Sequence, residues 1–266
     1  MKAEIADVSH AFPGLDGRVI PVLNHVSLTV EPGELVAIVG PSGCGKTTLA
    51  NMLAGLEVPL TGSVTVNGKQ PRPGDKQISY VLARDSLLPW RTALDNAAIA
   101  MEVHGVAPAE RKQRAQSALA SVGLAGFEDH YPAQLSHGMR QRVALARSFA
   151  TRPQLLLMDE PFSALDAQTR YAVHDIFLSL WSHNRTTAVL ITHDLSEAVG
   201  LANRVVVMTR RPGRIKAIHD IPLASPRSMA KLQGDPQFHS IYESVWQDLR
   251  EEFIEEPASL ADAANG

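Results

Sequence analysis

Residues 40–48 read GPSGCGKTT. They fit the pattern G-x-x-x-x-G-K-S/T, with Gly40, Gly45, Lys46 and Thr47 in the fixed places. An apolar run, Leu35-Val36-Ala37-Ile38-Val39, precedes them and reads as a buried strand. Residues 48–54, beginning Thr48-Leu49-Ala50, follow and read as a helix. A glycine loop between strand and helix lets backbone N–H groups curl around an anion, and the helix N-terminus adds partial positive charge. The loop therefore predicts an α/β chain that holds nucleotide phosphates. Lys46 would reach the β- and γ-phosphates and the Thr47 hydroxyl would ligate Mg²⁺.

The 266 residues suffice for a full core and are many for one domain. A net charge of −3 gives nucleic acid no electrostatic foothold as a partner. The single cysteine, Cys44, excludes an internal disulfide and fits a reducing compartment. It lies inside the loop with no base or second thiol near it in sequence, so its side chain reads as a bystander. The start, MKAEIADVSHAF, carries early acids and no apolar stretch, which does not read as a secretion signal. Apolar runs such as Leu35–Val39 fall far short of the roughly 18–20 residues that span a bilayer. Any membrane role is expected to be peripheral.

Short β-branched runs fill the first third, at residues 26–30, 35–39, 63–66 and 78–82, separated by turn signals such as Pro32-Gly33 and Asn67-Gly68. Residues 87–150 change character to helix, including 107–123 and 138–151. Strands return at 155–158, 188–191 and 205–209. Between them Val173, Ile176, Phe177, Leu180 and Trp181 make the stripe of a helix packed on a sheet. A helical insert thus splits an α/β core. Pro212-Gly213, Pro222 and Pro226 mark the end of that core. Residues 236–256 carry a further stripe, Phe238, Ile241, Tyr242, Val245, Trp246, Leu249 and Phe253, expected to pack on the core. The last ten residues are expected to be disordered.

Leu155-Leu156-Leu157-Met158-Asp159-Glu160 is an apolar strand ending in two acids. Carboxylates at the carboxyl end of a parallel strand sit where such sheets bind ligands. Asp159 would hold Mg²⁺ through its water shell, and Glu160 would polarise the attacking water. Leu135-Ser136-His137-Gly138-Met139 opens a helix with Ser136 as N-cap. An ordinary capped helix has the same pattern. A hydroxyl, a glycine and a helix N-terminus also make a second anion-facing site, and one chain does not need two, so this one would face the nucleotide of another chain. His193 directly follows a core strand; a lone histidine is more often structural, but there it could donate a hydrogen bond to the γ-phosphate. The other histidines lack metal-ligand spacing.

With these motifs in this order, the sequence resembles the ATP-binding subunits of ABC transporters over roughly residues 5–250. Residues 40–48 (Gly40, Pro41, Ser42, Gly43, Cys44, Gly45, Lys46, Thr47, Thr48) match the Walker A loop, 155–160 the Walker B strand, and 135–139 the family signature. Ser163-Ala164-Leu165-Asp166 matches the D-loop and His193 the switch histidine. Phe12 stands where the family puts an aromatic ring on adenine. The resemblance implies a P-loop NTPase (RecA-like) α/β core with an antiparallel β subdomain and an inserted α-helical subdomain. It implies an ABC ATPase domain over 1–225, with the helical subdomain at 87–150, and a C-terminal helical extension and tail over 226–266. ATP and Mg²⁺ are the implied cofactors, and Glu160 and His193 the catalytic residues. Phe12, residues 40–48, Ser136, Gly138 and Asp159 are the implied nucleotide contacts.

Leu87-Leu88-Pro89-Trp90-Arg91, Leu94-Asp95-Asn96 and Arg211-Pro212-Gly213-Arg214-Ile215 look like importers of nitrate, sulfonate, taurine or vitamin precursors. By resemblance, two such subunits form an ATP sandwich on two permease subunits at the cytoplasmic face of the inner membrane. An extracytoplasmic binding protein delivers the solute, and nucleic acid plays no part. Two positions depart from the pattern. Ala83 stands at the loop glutamine, with Gln77 upstream and Arg84 and Asp85 beside it, and His137 replaces the first signature glycine. Ala83 opens an alternative, a nucleotide-gated module with weak hydrolysis. A soluble ABC ATPase acting on DNA or ribosomes would carry long coiled-coil insertions or tandem cassettes, and this chain shows neither.

Overall fold

The structure is a computed structural model and describes residues 1–14, 17–83 and 85–253. Its centre is a six-stranded sheet of β3 (Leu35–Val39), β5 (Ile78–Val81), β6 (Leu155–Asp159), β7 (Thr187–Ile191), β8 (Arg204–Met208) and β9 (Ile215–Asp220). Their spatial order is β5-β6-β7-β3-β8-β9. All neighbours are parallel except β9, which runs antiparallel to β8. The strands β3 and β7 are buried along their whole length. Covering on both faces is why their sequences are unbroken apolar runs rather than alternating ones.

The period of two sorts those runs between two cores. Leu35, Ala37, Val39, Leu156, Met158, Leu190, Val205 and Val207 face one side. There they meet α5 (Ala167–Asn184), α6 (Leu195–Leu201) and α8 (Pro236–Arg250). Val36, Ile38, Leu155, Leu157, Val189, Ile191 and Val206 face the other. That side is closed by α1 (Lys46–Leu53) and an antiparallel sheet of β2 (Val19–Val30), β1 (Ala3–Pro13) and β4 (Thr61–Val66), in that order.

A third cluster is helical. It joins α2 (Ala93–Val103), α3 (Pro108–Ser121) and α4 (His137–Ala150) through Ala97, Met101, Leu119, Leu124 and Val143. Asn96 is fully buried there, bonded to the Leu88 N–H and to the carbonyls of Leu88, Arg91 and Thr92, which fixes the turn into α2. The α5 stripe serves two layers: Val173 and Phe177 lie in the sheet core, whereas Ile176 packs on the helical cluster.

β1, β9, α6 and α7 (Met229–Leu232) go beyond the sequence reading. β1 alternates only in pieces, because register shifts after Ile5, Val8 and His10 reset its phase, with Asp7 left-handed at φ 51°. β9 is a half-exposed edge strand with a polar sequence, and α6 is a short helix buried almost all round. After the short helix α7, α8 lays Phe238, Val245 and Leu249 on the sheet core, with Ile241 and Tyr242 partly buried beside them. It ends at Arg250, short of the expected 256. The expected disordered tail, residues 257–266, lies outside the described residues.

Candidate functional site

The phosphate loop leaves β3 at Val39 and re-enters helix at Lys46, two residues earlier than the sequence indicated. Gly43 and Gly45 have φ of 75° and 104°, which L side chains rarely adopt. Gly45 is the N-cap of α1 and caps it with no side chain, leaving the first N–H groups of the helix directed at the loop's hollow. Lys46 is nearly buried, and its ammonium donates to the Gly40 carbonyl at 2.8 Å and the Pro41 carbonyl at 3.0 Å. The Cys44 side chain is turned into the core below, its Sγ 3.9 Å from the Lys46 ammonium, and burial pushes its thiol pKa up.

The acids arrive from β6. Asp159 Oδ2 accepts a 2.8 Å hydrogen bond from Thr47 Oγ1. Burial, with Glu160 next to it, raises the Asp159 carboxyl pKa, although Thr47 and Lys46 pull it down. Glu160 turns off the strand with φ 50°, its N–H on the Ile191 carbonyl at 2.9 Å and its own carbonyl accepting from Ser163 Oγ at 2.9 Å. A non-glycine residue in that region is held by its surroundings at a cost. The result is that Glu160 Oε1 stands 3.2 Å from His193 Nδ1. Parallel pairing of Asp159 with Ile191 puts these two residues just beyond adjacent strand ends.

A buried polar set supports this pair. Thr192 Oγ1 donates to Glu197 Oε2 at 2.6 Å, and Asp194 caps α6 through the N–H groups of Ser196 and Glu197. Arg170 bonds Asp194 at 3.0 Å and the Leu165 carbonyl at 2.8 Å, so the 163–166 segment and the His193 turn share one guanidinium. Fully buried His174 lies 3.3 Å from Glu197 and edge-on to Phe162.

These elements enclose a cleft of about 460 Å³ lined by Phe12, Val22, loop residues 40, 42, 43 and 45–48, Glu160, His193 and Arg211. Phe12 is 38% exposed and meets the His10 ring edge-on at 4.7 Å, so its free face can take a flat group. Pro41, Cys44 and Asp159 do not line the cleft. Arg211 does, although its sequence neighbourhood marks it only as a subgroup feature.

The donor set suits Mg²⁺: a hydroxyl and a carboxylate already in contact at the carboxyl end of β6. No group of three His, Cys, Asp or Glu among the described residues could hold a metal unaided, so phosphate oxygens would have to complete the shell.

Ser136 caps α4 by accepting from the Met139 N–H at 3.2 Å. Neither it nor Gly138 lines the cleft of its own chain. A Cβ on Gly138 would collide with the Thr169 methyl of α5, so glycine there is also a packing requirement. His137 is accommodated by Arg140, whose guanidinium lies 3.0 Å from its Nδ1 and also binds Asp85 at 2.9 Å.

Ala83 follows the carboxyl end of β5 and does not line the cleft; Arg84 lies outside the described residues. Gln77 precedes the opposite end of β5, where its carbonyl accepts from Gln154 and Leu155. Asp85 and Ser86 are fastened by Arg147, which binds both carbonyls at 2.9 Å.

The profile of the family described as ABC transporter matches residues 23–163. The taurine import ATP-binding protein TauB of Chromobacterium violaceum is 42% identical over 254 residues, 94% of this chain and 96% of that protein. TauB of Escherichia coli O157:H7 is 41% identical over 244 residues, covering 90% and 94%. An uncharacterized ABC transporter ATP-binding protein of Methanocaldococcus jannaschii is 42% identical, covering 88% of this chain and 87% of that one. Among solved structures, the dimeric post-hydrolysis state of the ATP-binding cassette MJ0796, bound to ADP and Pi, superposes with a TM-score of 0.72 at 29% identity. It covers 84% of this chain and all of that one.

Proposed function

The chain belongs to the ABC transporter family as one of its ATP-binding cassettes, an ABC-type ATPase, and from that premise we propose that it powers import of a small solute through a membrane permease. The similarity to TauB over nearly the whole chain supports a taurine-, sulfonate- or nitrate-like solute or a vitamin precursor. No helix among the described residues is long and apolar enough to cross a membrane. Peripheral association with permease subunits at the cytoplasmic face of the inner membrane fits that, with an extracytoplasmic binding protein as the indirect partner. The division into an ATPase domain over 1–225 and an extension over 226–266 goes with this reading.

The observation that carries the mechanism is the convergence of Lys46, Thr47, Glu160 and His193 on one cleft. Phe12 stacks on the adenine. The backbone of residues 40–48 and Lys46 hold the phosphates, with the Lys46 ammonium sharing its protons between loop carbonyls and phosphate oxygens. Thr47, and Asp159 through water, would hold Mg²⁺, which would supply charge neutralisation to the phosphates. Glu160 orients and polarises the attacking water, and His193 holds Glu160 and the γ-phosphate in register. Ser136 and Gly138 of a second copy close the site, in keeping with the dimeric cassette MJ0796. Positioning and electrostatics do most of the work.

Glu160→Gln keeps the side chain's shape and removes its basicity, so it binds ATP but turns over about 10²–10⁴-fold more slowly. Steady-state phosphate release, with nucleotide binding measured alongside, tests this; near-normal turnover removes Glu160 from the mechanism. The nucleotide-gated alternative draws no support from a cleft in which Glu160 and His193 already stand 3.2 Å apart.

A further inference from the structure

Arg211 has no place in the mechanism above. It lines the same cleft as Phe12 and the phosphate loop, and its exposed side chain has no hydrogen-bond or ion-pair partner among the described residues. The other basic side chains of the cleft are committed. Lys46 donates to the carbonyls of Gly40 and Pro41, and His193 faces Glu160. Arg211 is thus the one unengaged fixed positive charge among the described lining residues.

Its backbone is held firmly. The loop leaves β8 next to the phosphate loop, since Val207 pairs with Val39. Gly213 N–H donates to the Val22 carbonyl at 2.8 Å, and its own carbonyl accepts from Asn24 at 3.0 Å. A Cβ on Gly213 would run into the Cys44 carbonyl, so this turn lies directly on the phosphate loop. On the other flank, Arg210 N–H donates to Glu252 Oε2 at 2.9 Å. Glu252 is itself 3.1 Å from the Lys216 ammonium. The turn is therefore anchored from β2 on one side and from the residues just after α8 on the other.

We propose that Arg211 is a nucleotide-binding residue whose guanidinium contacts the phosphate tail of the nucleoside triphosphate. This rests on the ATPase reading above. A guanidinium stays charged at any working pH, and its planar fork matches phosphate oxygens. A turn fixed before binding loses little freedom on contact. Glu252 acts as a positioning residue by holding the Arg210 N–H.

Titration calorimetry with AMP, ADP and ATP, on wild type, Arg211→Ala, Arg211→Lys and Glu252→Gln, tests the assignment. Arg211→Ala is expected to weaken ATP about tenfold, the scale of one charge-assisted hydrogen bond. The loss should be smaller for ADP, least for AMP, and reduced by added salt. Arg211→Lys should recover part of it, and Glu252→Gln should show a weaker version of the same ordering. Unchanged ATP affinity in Arg211→Ala overturns the proposal. So does an equal loss for AMP and ATP, which would put the side chain on the base or ribose. Absence of nucleotide binding by wild type would instead defeat the ATPase reading itself.

Discussion

Gly43 and Gly45 both have positive φ, yet alanine should harm them in different ways. At Gly43 an added Cβ meets nothing within 4 Å. At Gly45 it would lie 2.5 Å from Leu23 Cδ2 and 3.1 Å from Val22 Cγ1. Gly43→Ala therefore carries only backbone strain, about 1–2 kcal/mol. Gly45→Ala adds overpacking of about 1–3 kcal/mol against the β2 side chains, for a total of roughly 2–5 kcal/mol. Both glycines line the cleft, so nucleotide binding is read for each; at Gly43 the added Cβ stands in open space on the loop, where the phosphates would lie. Urea unfolding of the two variants, followed by ATP titration of each under conditions where it is folded, checks both halves. Gly43→Ala should lose only the about 1–2 kcal/mol of backbone strain, together with nucleotide affinity, and Gly45→Ala should be the less stable. Equal stability of the two variants would refute the packing of Gly45 against Leu23. Undiminished ATP binding by Gly43→Ala would refute the hollow of the loop as the phosphate site.

Asp159 has a pKa raised mainly by burial, so over the window between the ordinary carboxylate range and that raised value the folded chain keeps a proton that the unfolded chain has released. This contribution lowers stability as pH rises through the window, and Asp159→Asn should make the nucleotide-free chain more stable than wild type above it and no different at acid pH. Unfolding free energies of both proteins across that range test it, and a wild type that gains relative stability with pH contradicts it. Gly138→Ala should cost about 1–3 kcal/mol by overpacking against the Thr169 methyl, and Thr169→Ser in the same chain should recover most of it; a double variant no better than the single locates the strain elsewhere. Lys46→Ala should lose nucleotide affinity more than fold stability, read by ATP titration and thermal unfolding side by side.

The four central strands were legible because burial on both faces leaves them almost wholly apolar, as in Leu35–Val39 and in Leu155-Leu156-Leu157-Met158 of β6. The phosphate loop and the acids at the end of β6 were legible for a local reason: their chemistry is written within a few consecutive residues. β1 was not, since its bulges break the alternation that would announce it, and β9 was not, since an edge strand tolerates polar residues on its open side. The cleft's pairings are tertiary facts. Glu160 meets His193 only because β6 and β7 pair in a particular register, and Arg211 reaches the phosphate loop only because β8 lies beside β3. The Arg170, His174 and Glu197 set was missed because its members are spread over α5 and α6 with no motif spacing. For Ser136 and Gly138 the sequence suggested a second chain, and in the fold both lie away from the lining of their own chain's cleft.

A site completed by Ser136 and Gly138 of a second copy makes association depend on uncleaved nucleotide. The direct measurement is the mass in solution of Glu160→Gln, by light scattering, with ATP, with ADP and without nucleotide. A dimer with ATP and a monomer in the other two states is the predicted result. A monomer at saturating ATP would contradict the shared site and return the whole of the chemistry to a single chain.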